Sequence, residues 1–107
     1  MIIDIVKSPV QFKRYRVTLD NGKSFDFGYK GGDTYIDHLD KIKRHNYLVR
    51  HMANATEKQL IENLVPSPSL FSAQLLWSYL DDNSTSLKNN IKILNAAWKK
   101  KHLKSKK

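Results

Sequence analysis

The sequence contains no cysteine, and its 107 residues include only four glycines and three prolines. The absence of cysteine excludes disulfide bonds, thiolate metal sites and cysteine nucleophiles, and it fits a reducing compartment. No run of about 18 apolar residues is present to cross a membrane. The opening "MIIDIVKSPV" also lacks the basic segment that begins a signal peptide. We therefore expect a soluble protein without a membrane span that is not secreted by a cleaved signal.

Acidic residues are also scarce, because 10 Asp and Glu stand against 19 Lys and Arg and leave a net charge of +9. No acidic residue occurs from Asn83 to the C-terminus, so most of the excess lies there. Such a charge favours a polyanionic partner: nucleic acid, an anionic membrane surface or an acidic protein surface. The length fits a single α+β domain, which we place at residues 1–98, followed by a basic, lysine-rich tail at residues 99–107.

The stretch "RYRVTLDNGKSFDFG" predicts a β-hairpin, because apolar and polar residues alternate on both sides of its turn. A two-residue turn would place the aromatic residues on the wrong face. A three-residue turn with Gly22 in the left-handed conformation sets Tyr15 opposite Phe27, and we prefer it. A two-stranded hairpin alone is marginally stable, so we expect either a third strand over "MIIDIV", ended by Pro9, or a covering helix.

Helical spacing replaces strand alternation in the second half of the chain. Thr56 and Gln59 have capping-box spacing and open a short helix that Pro66 closes. Ser67 or Ser69 caps the next helix, "LFSAQLLWSYL", whose few polar positions indicate a buried core element.

A last helix is capped by Ser84 or Ser86. Its apolar residues recur at spacings of four, three and four and form one stripe: Leu87, Ile91, Leu94 and Trp98. Because Trp77 and Trp98 both lie in apolar stripes, we expect them to pack in the core rather than to stack on nucleic-acid bases.

Residues 33–51 combine histidines with many charged side chains. Asp40 is the expected N-cap of the helix "KIKRHNYLVRH", and Asp33 is expected to cap a shorter turn before it. The inward face of this helix is predicted to consist of four apolar or aromatic positions: Ile42, Tyr47 or His45, Val49 and Met52.

The same segment lacks the pattern of a metal or catalytic site. His38, His45 and His51 are seven and six positions apart, whereas metalloprotease helices carry two histidines four apart. No nucleophile elbow or glycine-rich phosphate loop is present, so we expect no enzyme activity and no cofactor. The residues to change first if the protein were a nuclease are Asp33, Asp37, His38 and Asp40.

The order of residues in "GKSFDFGYKGGDTYIDHLD", the basic helix that ends in "YLVRH" and the later "LLW" resembles a known family. It is a small, functionally uncharacterised domain encoded by giant viruses of the nucleocytoplasmic large DNA virus group. The motif residues are Tyr15, Gly22, Phe27, Gly28, Gly31, Asp33, Tyr35, His38, Asp40, Arg44, Tyr47, Arg50, His51 and Trp77. The chain departs from the family in two places, since a tryptophan usually follows the Arg-His pair and a glycine usually precedes "LLW". The resemblance implies a viral origin and a place in the virion, with no known catalysis.

These observations predict an α+β fold in which a small N-terminal antiparallel sheet packs with about four short helices. The leading hypothesis is a non-enzymatic viral structural protein, a minor capsid or virion-associated component that bridges larger assemblies. It would bind viral capsid or other virion proteins, and lie in the virion and, during infection, in the host cytoplasm or nucleus. The alternative is sequence-nonspecific nucleic-acid binding by the lysine-rich last helix and tail. The residues expected to contact nucleic acid or an acidic surface are Lys41, Lys43, Arg44, Arg50, Lys88, Lys92, Lys99, Lys100, Lys101, Lys104, Lys106 and Lys107.

Overall fold

The chain begins with a three-stranded antiparallel sheet in the order β1-β2-β3. The structure, a computed structural model, describes residues 1–105, with side chains as far as Lys101. The strands are β1 (Ile2–Lys7), β2 (Tyr15–Leu19) and β3 (Ser24–Phe27). The predicted third strand is confirmed, and it ends two residues before Pro9.

The hairpin between β2 and β3 has the predicted register. Tyr15 lies opposite Phe27, and Val17 lies opposite Phe25. The Leu19 amide donates to the Lys23 carbonyl at 2.8 Å, which closes the predicted three-residue turn. Gly22 has a φ of +86°, a conformation that costs glycine little because it has no Cβ. The alternation therefore places one row of apolar side chains in the core: Val17, Leu19 and Phe27.

Five α-helices and one π-helical turn follow in the described part of the chain, and the predicted α+β class is confirmed. The helices are α1 (Tyr35–His38), α2 (Lys41–Met52), α3 (Ala55–Glu62), α4 (Pro68–Phe71) and α5 (Leu87–Ser105), and the π-turn (Ser72–Leu76) continues directly from α4. None of the helices in residues 1–105 combines the length and the apolar content needed to cross a membrane.

The helix starts agree with the sequence in part. Asp40 caps α2, because its carboxylate accepts from the amides of Ile42 and Lys43. Of the alternatives, Ser67 caps α4, and Ser86 accepts from the Asn89 amide at the start of α5.

Two predicted helix starts are wrong. Asp33 does not cap α1; Thr34 does, because its amide donates to the Asp37 carboxylate at 2.8 Å one turn ahead. Thr56 does not cap α3; the N-cap is Asn54, two residues earlier, whose side chain accepts from the Glu57 amide.

The helix predicted to run as far as Leu80 ends instead after the π-turn. Ser78 has a φ of +52°, and the Tyr79 amide donates back to the Ala73 carbonyl. Buried amide side chains satisfy the backbone groups that a longer helix would have paired. Gln74 accepts from the Leu80 amide at 2.7 Å and donates to the Asn90 carbonyl of α5. Hydrogen bonds between side chains and backbone thus replace the last turn of the helix.

The core lies between the sheet, α4, the π-turn and α5. Phe27 packs against Phe71, with ring centroids 5.8 Å apart, and Leu94 of α5 is fully buried in the same cluster. Trp77 and Trp98 are half-buried and pack against this cluster, as predicted. The indole nitrogen of Trp98 also donates to the Leu64 carbonyl at 2.7 Å. Helix α5 continues beyond Trp98, so the first lysines of the predicted tail are helical.

Candidate functional site

Helix α2 turns its polar and aromatic residues inward and two of its aliphatic residues outward. Residues three or four positions apart share a helix face, and the inner face consists of Arg44, Tyr47, Leu48 and His51, all half-buried. On the opposite face, Ile42 is 74% exposed and Val49 is 56% exposed. The prediction that Ile42 and Val49 point inward is therefore wrong, although Tyr47 and Met52 are half-buried as expected.

Arg44 explains this orientation. Its Nε donates to the Trp77 carbonyl at 3.1 Å, and its Nη2 donates to the Ser78 carbonyl at 3.0 Å. The guanidinium also lies 5.8 Å from the ring centroid of Tyr35. The end of the π-turn leaves carbonyls that need donors, and a planar guanidinium can serve two at once. The predicted contact between Arg44 and a phosphate therefore competes with these hydrogen bonds.

Aromatic rings fill the space beside Arg44. Tyr47 stacks on Trp77 with a centroid distance of 4.2 Å and an interplanar angle of 7°, and it lies 4.1 Å from the His51 ring. The edge of His38 meets Trp77 at 5.5 Å. Burial raises the pKa of Tyr47 to about 12, with a further contribution from the negative charge of Glu57. Tyr47 therefore stays neutral at physiological pH.

A pair of ionisable residues borders these rings. The Nδ1 atom of His51 lies 3.1 Å from the Glu57 carboxylate, which also accepts from the Ser69 hydroxyl at 3.3 Å. The carboxylate orients the imidazole through its Nδ1 atom. Ser69 donates to Glu57 rather than to His51, which is not the order of a Ser-His-carboxylate triad. Among the described residues, no three acidic or histidine side chains are placed to hold a metal ion.

The rings of Tyr47 and Trp77 and the His51–Glu57 pair line a cavity of about 450 Å³, which we call the motif pocket. Seven motif residues line it: Phe27, Gly28, Asp33, Tyr47, Arg50, His51 and Trp77. Gly28 has a φ of +78°, and a Cβ there would lie 2.9 Å from a methyl carbon of Leu76. This position therefore requires glycine.

The remaining motif residues lie outside the pocket and support the fold around it. The Tyr35 hydroxyl donates to the Asp82 carbonyl at 2.7 Å, and His38 Nδ1 accepts from the Asp40 amide at 2.9 Å. Tyr15 packs on Phe27 within the sheet. Gly22 forms the hairpin turn, and Gly31 lies against the ring of Tyr29.

The predicted basic contact residues divide between two helices. Lys41, Lys43 and Arg50 are exposed on α2, and Lys41 lies 3.7 Å from Asp82. On α5 the exposed residues are Lys88, Lys92, Lys99, Lys100 and Lys101, of which Lys101 bonds to the Asn63 carbonyl. The side chain of Lys104 and the whole of Lys106 and Lys107 lie outside the described residues.

Nine residues that line the motif pocket were not predicted as site residues, and four of them have polar or aromatic side chains that matter for its chemistry: Lys13, Tyr29, Glu57 and Ser69. Glu57 follows His51 by six positions across the break between α2 and α3, a spacing that no single helix would bring together. Tyr29 closely precedes the Gly31-Gly32 pair, and the missing side chains of these glycines leave room for its ring.

The chain is similar to an uncharacterised protein family. A family of unknown function (DUF5754) matches residues 3–51, which covers the sheet, α1 and almost all of α2. The match includes the sheet and α2 walls of the motif pocket, whereas Glu57 and Trp77 lie beyond it. No curated protein and no solved structure matches the chain.

Proposed function

We propose that this chain is a non-enzymatic structural protein of a giant virus, a minor capsid or virion-associated component that bridges larger assemblies. The observation that carries the proposal is the outward face of α2. Ile42 and Val49 on this face are 74% and 56% exposed, and Leu39 just before the helix is 52% exposed. Neighbouring apolar side chains that bury little within the monomer are typical of a protein-binding surface. The giant-virus origin comes from the motif resemblance.

The charges around this outer face indicate the chemistry of its partner. On a helix of 3.6 residues per turn, Lys43 and Arg50 flank one side of the Ile42–Val49 stripe, and Lys41 flanks the other. Neither Lys43 nor Arg50 has a carboxylate partner within residues 1–101. An apolar groove with an acidic rim on a capsid protein would complement this arrangement, because apolar side chains supply affinity and rim charges supply specificity.

Particles purified from the virus that encodes this chain test the proposal. Quantitative mass spectrometry should find the chain in the particle, and a lysine-reactive crosslinker should join Lys41 or Lys43 to a capsid protein. Lys58, exposed on α3, is the control and should crosslink less to that protein. Absence of the chain from washed particles would refute the proposal.

The second candidate is sequence-nonspecific nucleic-acid binding by α5. Lys88, Lys92 and Lys99 lie within about 40° of one another around the helix, and no acidic residue occurs on α5. Such a row of lysines can follow a phosphate backbone.

A titration of duplex DNA at several salt concentrations tests this candidate. Because α5 runs beyond Trp98, the variants should replace charge and keep the helix intact. Lys88→Gln/Lys92→Gln/Lys99→Gln should lower the slope of log K against log salt by about 0.9 for each lost phosphate contact. An unchanged slope would exclude α5 as the binding surface.

A further inference from the structure

Two loops at one end of the sheet each carry an exposed aromatic ring. The first loop joins β1 to β2 and carries Phe12; the second follows β3 and carries Tyr29. The Lys30 amide donates to the Phe12 carbonyl at 2.9 Å, which joins the two loops. Phe12 is 61% exposed and Tyr29 is 63% exposed. Large aromatic side chains that remain this exposed contribute little to the core.

The Tyr29 ring packs against the backbone, and the backbone at Phe12 is strained. A Cβ added to Gly31 or Gly32 would lie 3.3 or 3.4 Å from ring atoms of Tyr29, so the ring rests against the backbone of these glycines. Phe12 has a φ of 70°, a strained conformation for a bulky residue. Strain of this kind persists only where surrounding contacts impose it, and it is concentrated at functional sites. The hydrogen bond from Lys30 is one such contact.

A basic cavity adjoins the same loops. Its volume is about 440 Å³, and it is lined by Lys7, Arg14, Tyr15 and Lys30. Every lining residue is therefore a cation or a tyrosine. Arg14 is paired with Asp37 at 2.8 Å, whereas Lys7 and Lys30 have no carboxylate partner in the part of the chain whose side chains are described. The cavity thus offers two free positive charges to an anion.

We propose that these loops form a binding site for single-stranded nucleic acid. Bases stack on the rings of Tyr29 and Phe12, and the phosphates occupy the basic cavity beside Lys7 and Lys30. Aromatic platforms next to unpaired cations are the general means of binding single strands without sequence preference. A duplex keeps its bases stacked inside, so it cannot use the rings. The site involves neither α5 nor the outer face of α2, and it stands whether or not the proposals above hold.

Fluorescence anisotropy with a labelled oligothymidylate of about 12 nucleotides, a length that one such module covers, tests the site in the full-length protein. Tyr29→Ala should weaken binding by about tenfold, because it removes one stacking platform. Tyr29→Phe keeps an aromatic ring and should bind as the wild type does. Lys7→Gln/Lys30→Gln should lower the salt slope by about 1.4, the value for two phosphate contacts on a single strand.

Control variants test whether binding depends on this site. Ile42→Ala on α2 and Lys58→Gln on α3, where Lys58 is exposed, should leave oligothymidylate binding unchanged. Equal binding by Tyr29→Ala and wild type would overturn the proposal, as would tighter binding of a duplex of the same length. Vesicles containing phosphatidylserine are the alternative ligand. If the protein bound these vesicles through Tyr29 but did not bind the oligonucleotide, the proposal would also be overturned. If Tyr29→Ala unfolds at a lower temperature than the wild type, the salt slope of Lys7→Gln/Lys30→Gln tests the proposal instead, and a slope equal to that of the wild type would overturn it.

Discussion

The two faces of α2 reverse the usual arrangement of an amphipathic helix. The inner face carries Arg44, Tyr47 and His51, which bond to or stack on residues just after the π-turn and on Glu57 of α3. The outer face carries Ile42 and Val49, which are largely in water. Directed polar contacts thus hold the helix in place, whereas the outer aliphatic side chains stay exposed. Under the proposed function, these exposed side chains are the ones that bind a partner.

The largest expected effect comes from removing the inner arginine. Arg44→Ala leaves the carbonyls of Trp77 and Ser78 without their donors next to a buried turn, so it should lower the free energy of unfolding by about 3 kcal/mol. Arg50→Ala is the matched control on the same helix and should change stability by less than about 0.5 kcal/mol. Chemical denaturation measures both. Equal losses of unfolding free energy in the two variants would mean that the two faces of α2 do not differ in their contribution to stability.

The ring stack should show the next largest effect. Tyr47→Ala removes the ring between Trp77 and His51 and should destabilise the protein by about 2 kcal/mol, from lost burial and lost stacking. Val49→Ala, two positions later on the outer face, should cost only a few tenths of a kcal/mol, roughly the scatter of surface substitutions. Thermal melts of the two variants give the comparison. A larger loss for Val49→Ala would contradict the assignment of the faces.

A smaller effect should depend on pH. Hydrogen bonds from Arg14 hold the pKa of Asp37 well below its usual range. A carboxyl group whose pKa is lowered by folding stabilises the protein above the unfolded value, about 3.9, and this contribution is lost as pH falls below it. The pair is partly exposed, so Asp37→Asn should cost about 1 kcal/mol at pH 7.

The pH series provides its own control, because a protonated Asp37 is uncharged, like the amide that the Asp37→Asn variant carries. The difference in unfolding free energy between wild type and Asp37→Asn should therefore shrink as pH falls from about 4 to about 2. A difference that stays constant over this range would show that the carboxylate charge does not stabilise α1.

The smallest expected effect on stability belongs to the outer face. Ile42→Ser exposes no new cavity and breaks no hydrogen bond, so unfolding free energy should change by less than about 0.5 kcal/mol. Equilibrium denaturation measures this change. A loss above about 1.5 kcal/mol, the stabilisation gained by burying such a side chain, would mean that Ile42 packs within the protein and is not available to a partner.

The sequence predicts the arrangement of the sheet better than that of α2. The hairpin register follows from strict alternation, since a slip of one residue would turn Phe27 out of the core. The N-cap at Asp40 could be predicted because aspartate is a preferred residue at the start of a helix. The faces of α2 could not be predicted from hydropathy, because Arg44 is fixed by carbonyls more than thirty positions later along the chain. That interaction depends on the π-turn, which has no known sequence signal here.

The candidate sites show the same limit. Tyr47, His51 and Trp77 were identified by motif order, but Glu57 was missed because its contact with His51 crosses a helix break. Asp33 was assigned as a cap where Thr34 takes that position, since Asp37 reaches back to the Thr34 amide. Local rules therefore located these residues, whereas their roles depended on a contact between two helices for His51 and Glu57 and on a competing cap for Asp33.

The most direct test of the separation between the two faces is the amount of an outer-face variant in purified particles. Ile42→Ser/Val49→Ser should unfold within about 1 kcal/mol of the wild type, twice the limit for one surface change. Expressed together with the wild type, it should be at least about tenfold depleted from particles, the effect of losing a binding hot spot. A stable variant that enters particles as efficiently as the wild type would contradict the account.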